Sequence, residues 1–583
     1  MNLTGALTTE SPQTRFIRRC WPYLLLIGLL AVMFVALALL GFELGFVGDV
    51  LGFEYNFDRF GIKAGMRYVL EWDRRHLLSG QFYAMLHILS PGQSAAWYAT
   101  SILMQFLVAP VCFLLSNAIL RGRRQWLSFS AALIFVFYTR QTWSHFQTPT
   151  SGYRKIALAL ALLSVWFYLQ YVRRKRDTYF WRDIAIACYS IAVLLYEATA
   201  LFFLLNPIIA YIEDHPGKTL REKGAWLLQI ALDTWCYPII FAAYWYLLNV
   251  LLPEDQGPRG VFLSPDLILQ QFIAAFQGEF SPDRVAARIL PALEGNWVIL
   301  TGFVAAIIFL IVWRWRSGTS HDHEVAANRS DSAALGALAV IAIAIIILNF
   351  LSVAPSERFL GDEYHSPRLL TPAAVGIALL VTSGLAWLLD QVAPIKIRRM
   401  VFALVVAFLV GTGVSRLFQV HQENYHLASE RQHFREALKQ AVPSWNGDIL
   451  PYLLIVSDEH PSNDLGLHAQ DIRFPLTFDL LYDTDGIAAD AIYPDVPAAS
   501  APAADMPGSR YNGPFIVVEP EGIYSPLNPG VPIDSQRLVI VYYDSQTQTA
   551  QVLDELPAEV LASANIVQRA PIEWRTNFDL IGS

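Results

Sequence analysis

The sequence is poor in charged residues, which make up 16% of its 583 residues, whereas 54% are hydrophobic. A soluble globular chain carries roughly 25% charged residues, so this composition excludes an ordinary soluble domain. Many apolar runs approach the ~20 residues needed to cross a bilayer. The chain is therefore predicted to be a polytopic membrane protein.

Cysteine is also scarce: the chain has four, Cys20, Cys112, Cys188 and Cys236. All four fall within or beside apolar runs, where a cysteine is a small buried hydrophobe. Their spacing forms no disulfide framework and no zinc motif, and no metal-ligand motif is visible elsewhere. The sequence lacks a nucleotide-binding P-loop as well, which argues against ATP-driven work within this chain. No nucleic-acid partner is expected.

The apolar runs divide into eleven predicted spans, and the first has no small-residue cleavage pattern after it, so it is a retained span. With eleven spans, every basic cluster in a short connection falls on one side of the membrane, as the positive-inside tendency requires. This predicts an integral protein of the cytoplasmic (inner) membrane with a cytoplasmic N-terminus and an extracytoplasmic C-terminal domain. The predicted spans are 20–43, 95–120, 126–143, 153–172, 181–196, 198–213, 225–252, 296–315, 333–353, 371–390 and 399–418.

Residues 181–213 are apolar throughout and fit either one long tilted helix or two short ones. A single span would reverse the rest of the chain and place the basic residues 396–399 outside. We therefore favour two helices that turn near residues 195–198. The turn puts Glu197 at the external surface, where a carboxylate costs less than at mid-membrane.

The loop after the first span carries three carboxylates among aromatic residues: Asp49, Glu54 and Asp58. Carboxylates at a membrane edge mark an aqueous pocket or a solvated loop. Residues 68–89 further along have one broad apolar side and are predicted to form an interfacial helix. That helix would be either a structural lid or a gate for substrate.

The C-terminal part differs in character from the spans. Residues 419–441 are predicted to form a charged helical neck between a transmembrane domain, 1–418, and a small α/β domain, 442–583. Strands are expected at 452–456, 515–518 and 538–543, because short apolar runs alternate there with turn residues. The predicted fold class is thus mainly α, with a small α/β domain outside the membrane.

This layout resembles GT-C-type glycosyltransferases, which are polytopic and use sugars linked to polyprenyl phosphate at the external membrane face. The matching features are Asp49 with its neighbouring acids, the helix near 68–89, the pair Tyr196–Glu197 and the C-terminal region 419–583. The segment 364–372 is also similar to one that opens a late span in such proteins. A Trp-Trp-Asp motif of the oligosaccharyltransferase branch is missing from the C-terminal region.

The resemblance implies a membrane enzyme that moves a hexosyl or pentosyl group, with inversion, from a polyprenyl-phosphate donor. The acceptor would be a glycan, a lipid or a protein. Asp49 is the first candidate for the base, followed by Glu54 and Asp58, because partial desolvation near the span end would raise the pKa of a carboxylate there. As an alternative, Asp49 only ends a helix or solvates the loop.

The departing phosphate needs cations. Arg368 is the first candidate, since a guanidinium keeps its charge when buried, and His365 and Arg140 come next. Glu197 either binds the sugar, or a divalent ion such as Mg²⁺ or Mn²⁺ together with the loop acids, or caps its turn. His145 is a further candidate for the substrate site, as an acid, although packing between aromatic residues is the simpler role.

Two other classes stay open: a transporter or flippase of lipid-linked sugars, and a non-catalytic membrane assembly protein. Few charged residues lie deep inside the spans, which disfavours coupled transport. Convergence of Asp49, Glu197 and Arg368 on one cavity that opens to lipid would favour the enzyme.

The base assignment makes a direct prediction. Asp49→Asn keeps the size of the side chain but cannot accept the acceptor's proton, so transfer activity should fall by about 100-fold or more. Activity is measured on purified protein whose insertion is first verified. Full transfer by a correctly inserted variant would exclude Asp49 as the base.

Overall fold

The fold was analysed in a computed structural model of the chain. It describes residues 12–42, 49–72, 76–138, 152–214, 219–251, 264–317, 324–353, 370–392, 394–446, 449–457, 481–482, 487–492, 516–520, 522–524, 532–563 and 566–582.

The chain divides into two compact units. Unit 1 comprises residues 1–41, 69–83 and 96–422, and unit 2 comprises residues 42–68, 84–95 and 423–583. The division expected from the sequence, at residues 418 and 441, stays a prediction.

Helices dominate the described residues, as predicted for a mainly α protein. Short 3₁₀ helices follow α7 (Glu197–Leu204) and α12 (Leu290–Leu293), and a π-helical turn follows α10 (Leu247–Leu251). The helices are α1 (Pro12–Leu40), α2 (Asp49–Trp72), α3 (Ser79–Leu89), α4 (Ser94–Ile119), α5 (Gln125–Val136), α6 (Gly152–Arg173), α7 (Tyr179–Leu195), α8 (Leu205–Asp214), α9 (Leu220–Thr234), α10 (Cys236–Tyr246), α11 (Pro265–Phe280), α12 (Pro282–Ile289), α13 (Trp297–Ser317), α14 (Glu324–Val353), α15 (Thr371–Val392), α16 (Ile395–Ala441) and α17 (Ala558–Ser563).

Each of the eleven predicted spans coincides with a helical segment. Seven of the described helices are long and apolar enough to cross a membrane, and the bent pair α9–α10 makes up to eight. Helices α5, α7 and α8 are shorter than 18 residues and are not among these seven. The membrane class is thus confirmed, and the number eleven stays a prediction.

The chain between α7 and α8 breaks where the sequence predicts. Tyr196 has an extended backbone (φ −160°, ψ 117°), and the 3₁₀ helix begins at Glu197. His76 contacts both Glu197 and Tyr153, so the break lies beside the first turn of α6. The last turn of α8 instead lies beside the end of α6, since Glu213 binds Arg173. The chain therefore reverses direction at Tyr196.

Basic residues from several connections collect at the opposite end of unit 1, which we call the basic end. Glu213 accepts hydrogen bonds from Arg121 at 3.1 Å and from Arg173 at 2.6 Å. Arg176 bridges Asp214 and Asp233, each at 2.6 Å. Near the end of α15, Asp390 binds Arg124 and also Arg398 at the start of α16. Three of the basic clusters that the sequence assigned to one side thus meet at one end.

The predicted single helix over 68–89 is wrong. Helix α2 ends at Trp72 and α3 begins at Ser79. The carbonyl oxygen of His76 accepts hydrogen bonds from both the backbone N–H and the hydroxyl of Ser79, while the Leu78 N–H donates to Leu194. These bonds start a new helix, because they use backbone groups that a continuous helix would pair internally.

The C-terminal part of unit 2 contains the predicted strands. A four-stranded sheet has the order β3–β2–β6–β7, in which β2 is parallel to β3 and β6 while β7 is antiparallel to β6. Strands β5–β4–β8 form a second sheet, and β1–β9 pair as a short ribbon. The strands are β1 (Ser444–Trp445), β2 (Tyr452–Ser457), β3 (Ala488–Ile492), β4 (Ile516–Glu519), β5 (Gly522–Tyr524), β6 (Leu538–Asp544), β7 (Thr549–Leu553), β8 (Ile566–Gln568) and β9 (Ile581–Gly582).

Strand β2 is buried on both faces, as a central parallel strand must be. Leu453 and Ile455 pack with Phe434 and Leu438 of α16, while Leu454 and Val456 pack with residues of the second sheet. The β2 side chains thus alternate between a cluster that includes helix α16 and a cluster that includes the second sheet. Because helix and sheet pack on each other here, this small domain is α/β, as the strand pattern predicts.

Helix α16 passes very close to the end of α5 at Gly413. A Cβ there would overlap the carbonyl oxygen of Phe137, which cannot move aside as a side chain can. Gly413→Ala should therefore destabilise the protein by about 1–3 kcal/mol, the usual cost of overpacking. Gly384→Ala in α15 is the matched control, because nothing lies within 4 Å of its Cβ position. Thermal unfolding in detergent compares the two; equal melting temperatures would contradict the close contact.

Candidate active site

A hydrogen-bonded cluster of polar side chains lies at the end of unit 1 opposite the basic end, which we call the site end. It contains His76, Tyr153, Arg154, Tyr196 and Glu197. His76 is brought there by the short segment before α3, Tyr153 and Arg154 by the first turn of α6, and Tyr196 and Glu197 by the break between α7 and α8.

His76 is the centre of this cluster. Its Nε2 lies 2.5 Å from a carboxylate oxygen of Glu197, and its Nδ1 lies 2.9 Å from the hydroxyl of Tyr153. The His76 side chain is 5% exposed, whereas that of Glu197 is 24% exposed. Both nitrogens of the His76 imidazole thus have partners inside the protein. The Glu197 carboxylate is the group of this pair that solvent or a ligand can reach.

Arg154 extends the chain of contacts. Its Nε donates to the Tyr153 hydroxyl at 3.0 Å, and its guanidinium lies 5.4 Å from the ring centres of both Tyr153 and Tyr196. The His76 ring in turn lies 5.1 Å from Tyr153 and 5.4 Å from Tyr196. A guanidinium held against aromatic faces keeps its charge and its planar set of donors.

The turn that carries Glu197 is fixed by two later helices. Asn349 of α14 donates to the carbonyl of Ala198 at 3.4 Å and accepts from the N–H of Ala373 at the start of α15 at 3.1 Å. The Thr199 hydroxyl also donates to the carbonyl of Tyr196. These bonds satisfy backbone groups that the broken helix leaves unpaired.

A second basic side chain follows Arg154 in the sequence. Lys155 is 2% exposed, and its Nζ donates to the backbone oxygen of Ser101 at 2.9 Å and to the Ser101 hydroxyl at 3.0 Å. Both bonds go to neutral oxygens of α4, so Lys155 joins the first turn of α6 to α4.

Sequence reasoning missed Tyr153, Arg154 and Lys155, although a signal was present. These residues open a span at the side that the charge rule assigns to the outside, where basic residues are under-represented. Two adjacent basic residues at that end are an exception to the pattern.

Comparisons with known proteins find likeness only among solved structures, because no protein-family model and no curated protein matches the chain. The chain is similar to ArnT from Cupriavidus metallidurans bound to undecaprenyl phosphate, with 12% identity and a TM-score of 0.34 over 81% of this chain and 93% of ArnT. The apo state of ArnT matches with 14% identity and a TM-score of 0.31 over 83% and 93% of the two chains. An oligosaccharyltransferase from Archaeoglobus fulgidus matches with 13% identity and a TM-score of 0.32, over 76% of this chain and 63% of the other.

TM-scores of this size carry no argument about this chain, so its function rests on its own side chains.

The candidate base residues have different surroundings. Asp49 is the first residue of α2, and its side chain lies outside the described residues. Asp58 is exposed. Glu54 is 3% exposed, and its two oxygens are bound within unit 2, one by the Gly92 N–H at 2.6 Å and one by His87 at 3.1 Å.

The other residues predicted for the site fall into two groups. Glu197 belongs to the cluster at the site end, whereas Arg140, His145, His365 and Arg368 lie outside the described residues. In the part of the chain that the structure describes, no three His, Cys, Asp or Glu side chains are grouped to hold a metal ion. The divalent cation considered from the sequence stays a prediction.

The contacts of Glu54 indicate a structural role. The carboxylate joins α2 to the end of α3 and to the turn at Gly92, where φ is +69°, and Phe57 stacks on His87 beside it. Glu54→Ala would leave the Gly92 N–H and His87 without this acceptor, at a cost of about 1–3 kcal/mol. Asp58→Ala, in the same helix but exposed, should change stability by no more than about 0.5 kcal/mol.

Thermal unfolding in detergent measures both variants. Equal melting temperatures would rule out a structural role for Glu54. Conversely, Glu54→Gln retains one oxygen for Gly92, so a variant that stays folded but loses transfer would reinstate Glu54 as a catalytic candidate.

Proposed function

We propose that the chain is a membrane glycosyltransferase that moves a sugar from a polyprenyl-phosphate donor to an acceptor at the site end. The observation that carries the proposal is the chain of contacts Glu197–His76–Tyr153–Arg154. It combines a reachable carboxylate with a guanidinium in one cluster. Those are the two groups that such a transfer requires.

The chemistry assigns each group a role. As the acceptor oxygen bonds to the anomeric carbon, its proton passes to a carboxylate, and the bond from that carbon to the phosphate oxygen breaks. The phosphate leaves with the electron pair and gains negative charge, which a nearby guanidinium stabilises. Arg154 is proposed for this role.

Two carboxylates are proposed to take the proton. Asp49 is favoured by its position in the sequence, next to the end of the first span. Glu197 is favoured by its surroundings, since a carboxylate oriented by an imidazole, which is oriented by a phenol, keeps one position through the reaction.

The charge distribution of unit 1 supports an external site. Arginines of the short connections meet at the basic end, and the Glu197 cluster lies at the opposite end of α6. By the positive-inside tendency, the basic end faces the cytoplasm. The site end would then face outward, on the side where the lipid-linked sugar is proposed to be transferred.

Paired variants test the roles. Glu197→Gln should lower the transfer rate by about 100-fold or more if Glu197 is the base, whereas Asp183→Asn, a 64%-exposed carboxylate on α7, should leave it unchanged. Transfer is followed with a labelled polyprenyl-phosphate sugar on protein in nanodiscs. If Glu197→Gln raises KM for the donor with little change in kcat, Glu197 binds the sugar and Asp49 remains the base.

Arg154 has a matched control in the same fold. Arg182 lies over the ring of Tyr179 at 4.7 Å, as Arg154 lies over Tyr153, but near the basic end. Arg154→Gln should weaken binding of undecaprenyl phosphate by about tenfold or more, because it removes a charge-assisted donor set. Arg182→Gln should bind normally. Equal affinity of the two variants in a direct binding assay would contradict a phosphate site at Arg154.

A further inference from the structure

Several buried side chains of unit 1 carry polar atoms without a direct hydrogen bond in the structure. Among these atoms are the hydroxyls of Tyr168 and Tyr237 and both amide atoms of Asn206. Each residue is 0% exposed. Buried polar atoms are nearly always hydrogen-bonded, so four such atoms in one helical bundle call for partners.

The three side chains lie together. Tyr168 belongs to α6, Asn206 to α8 and Tyr237 to α10. The Tyr237 hydroxyl is directed at Ser164 and Asn206 but makes no direct hydrogen bond of normal length and angle to either, and Tyr168 lies near Tyr237 and Asp233. The polar atoms thus face one another across the contact between three helices.

The backbone at this place is also irregular. Helices α9 and α10 are bent by 47° at Trp235, two residues before Tyr237. Asn206 is followed by Pro207, which has no N–H to give to a helix. Sharp bends occur where a proline, a side chain or a water molecule interrupts the helical hydrogen bonds.

We propose that Tyr168, Asn206 and Tyr237 hold a cluster of ordered water molecules at the bend between α9 and α10. An amide offers donors and an acceptor, and each phenol can both donate and accept. Water is the small ligand that satisfies such a mixed set, since a buried water makes two to four hydrogen bonds. The waters bridge α6, α8 and α10 where direct bonds are missing.

The cluster connects to the basic end and is separate from the site end. Tyr171, one turn beyond Tyr168, donates to Asp233 at 3.0 Å, and Arg176 binds the same carboxylate. In the other direction, α6 presents the buried apolar residues Ala157, Leu158, Ala161 and Leu162 between Tyr168 and Tyr153. Exchange of the waters is therefore expected by way of Asp233, and the proposal does not depend on the proposed function.

Radiolytic labelling of the full chain in nanodiscs tests the cluster. Hydroxyl radicals formed from bound water, introduced as H₂¹⁸O, modify the side chains that touch it, and mass spectrometry locates the label. We expect Tyr168 and Tyr237 to be labelled at least severalfold more than Tyr189. Tyr189 is an internal control, because it is 1% exposed and its hydroxyl donates to the carbonyl of Ala200 at 2.6 Å.

Two outcomes would overturn the proposal in the unmodified protein. If none of the three tyrosines is labelled, the interior is dry; if all three are labelled equally, bulk solvent reaches them. Asn206→Leu adds a second test, since it keeps the size of the side chain and removes the amide. Labelling of Tyr237 should then fall to the level of Tyr189, and unchanged labelling in a folded variant would also contradict the cluster.

Discussion

A helix that stops inside a bundle leaves backbone groups that need partners, and the break at Tyr196 is the constraint on which the site end depends. The break turns the chain back toward the basic end and leaves Glu197 at the turn. His76 and Asn349 then bind the turn from other parts of the chain, and Thr199 bonds within it. A continuous helix over these residues would place Glu197 inside the bundle, without the imidazole that orients it.

The two ends of unit 1 use charge differently. At the basic end, arginines and carboxylates neutralise one another in pairs, such as Arg173–Glu213 and Arg176–Asp214. At the site end, the guanidinium of Arg154 lies against two tyrosines, and its Nε donates to the hydroxyl of Tyr153. That hydroxyl contacts His76, which in turn contacts Glu197, so these charged groups belong to one connected cluster rather than to separate ion pairs.

Much of the fold was predictable because its signals are local. Long apolar runs, the turn at residues 195–198 and the alternating strands near 452, 516 and 538 are each contained in a short window of sequence. The pairing of His76 with Glu197 joins residues 121 positions apart, and no periodicity reveals it. The break within 68–89 was not predicted for a similar reason: it depends on a hydrogen bond from Leu78 to the distant Leu194. The burial of Glu54 depends on the turn at Gly92, which the loop composition does not disclose.

The bond from Asn349 to Ala198 has a consequence for biosynthesis. The two residues are 151 positions apart, so at roughly 5–20 residues per second the turn is made many seconds before its partner emerges. During that interval the Ala198 carbonyl must be bonded by water or by the insertion machinery. Residues 197–204 are therefore expected to settle into the bundle late, after α14 and α15 have entered the membrane. The turn at Glu197 would then mature long after its own residues are made, because it depends on a partner much later in the chain.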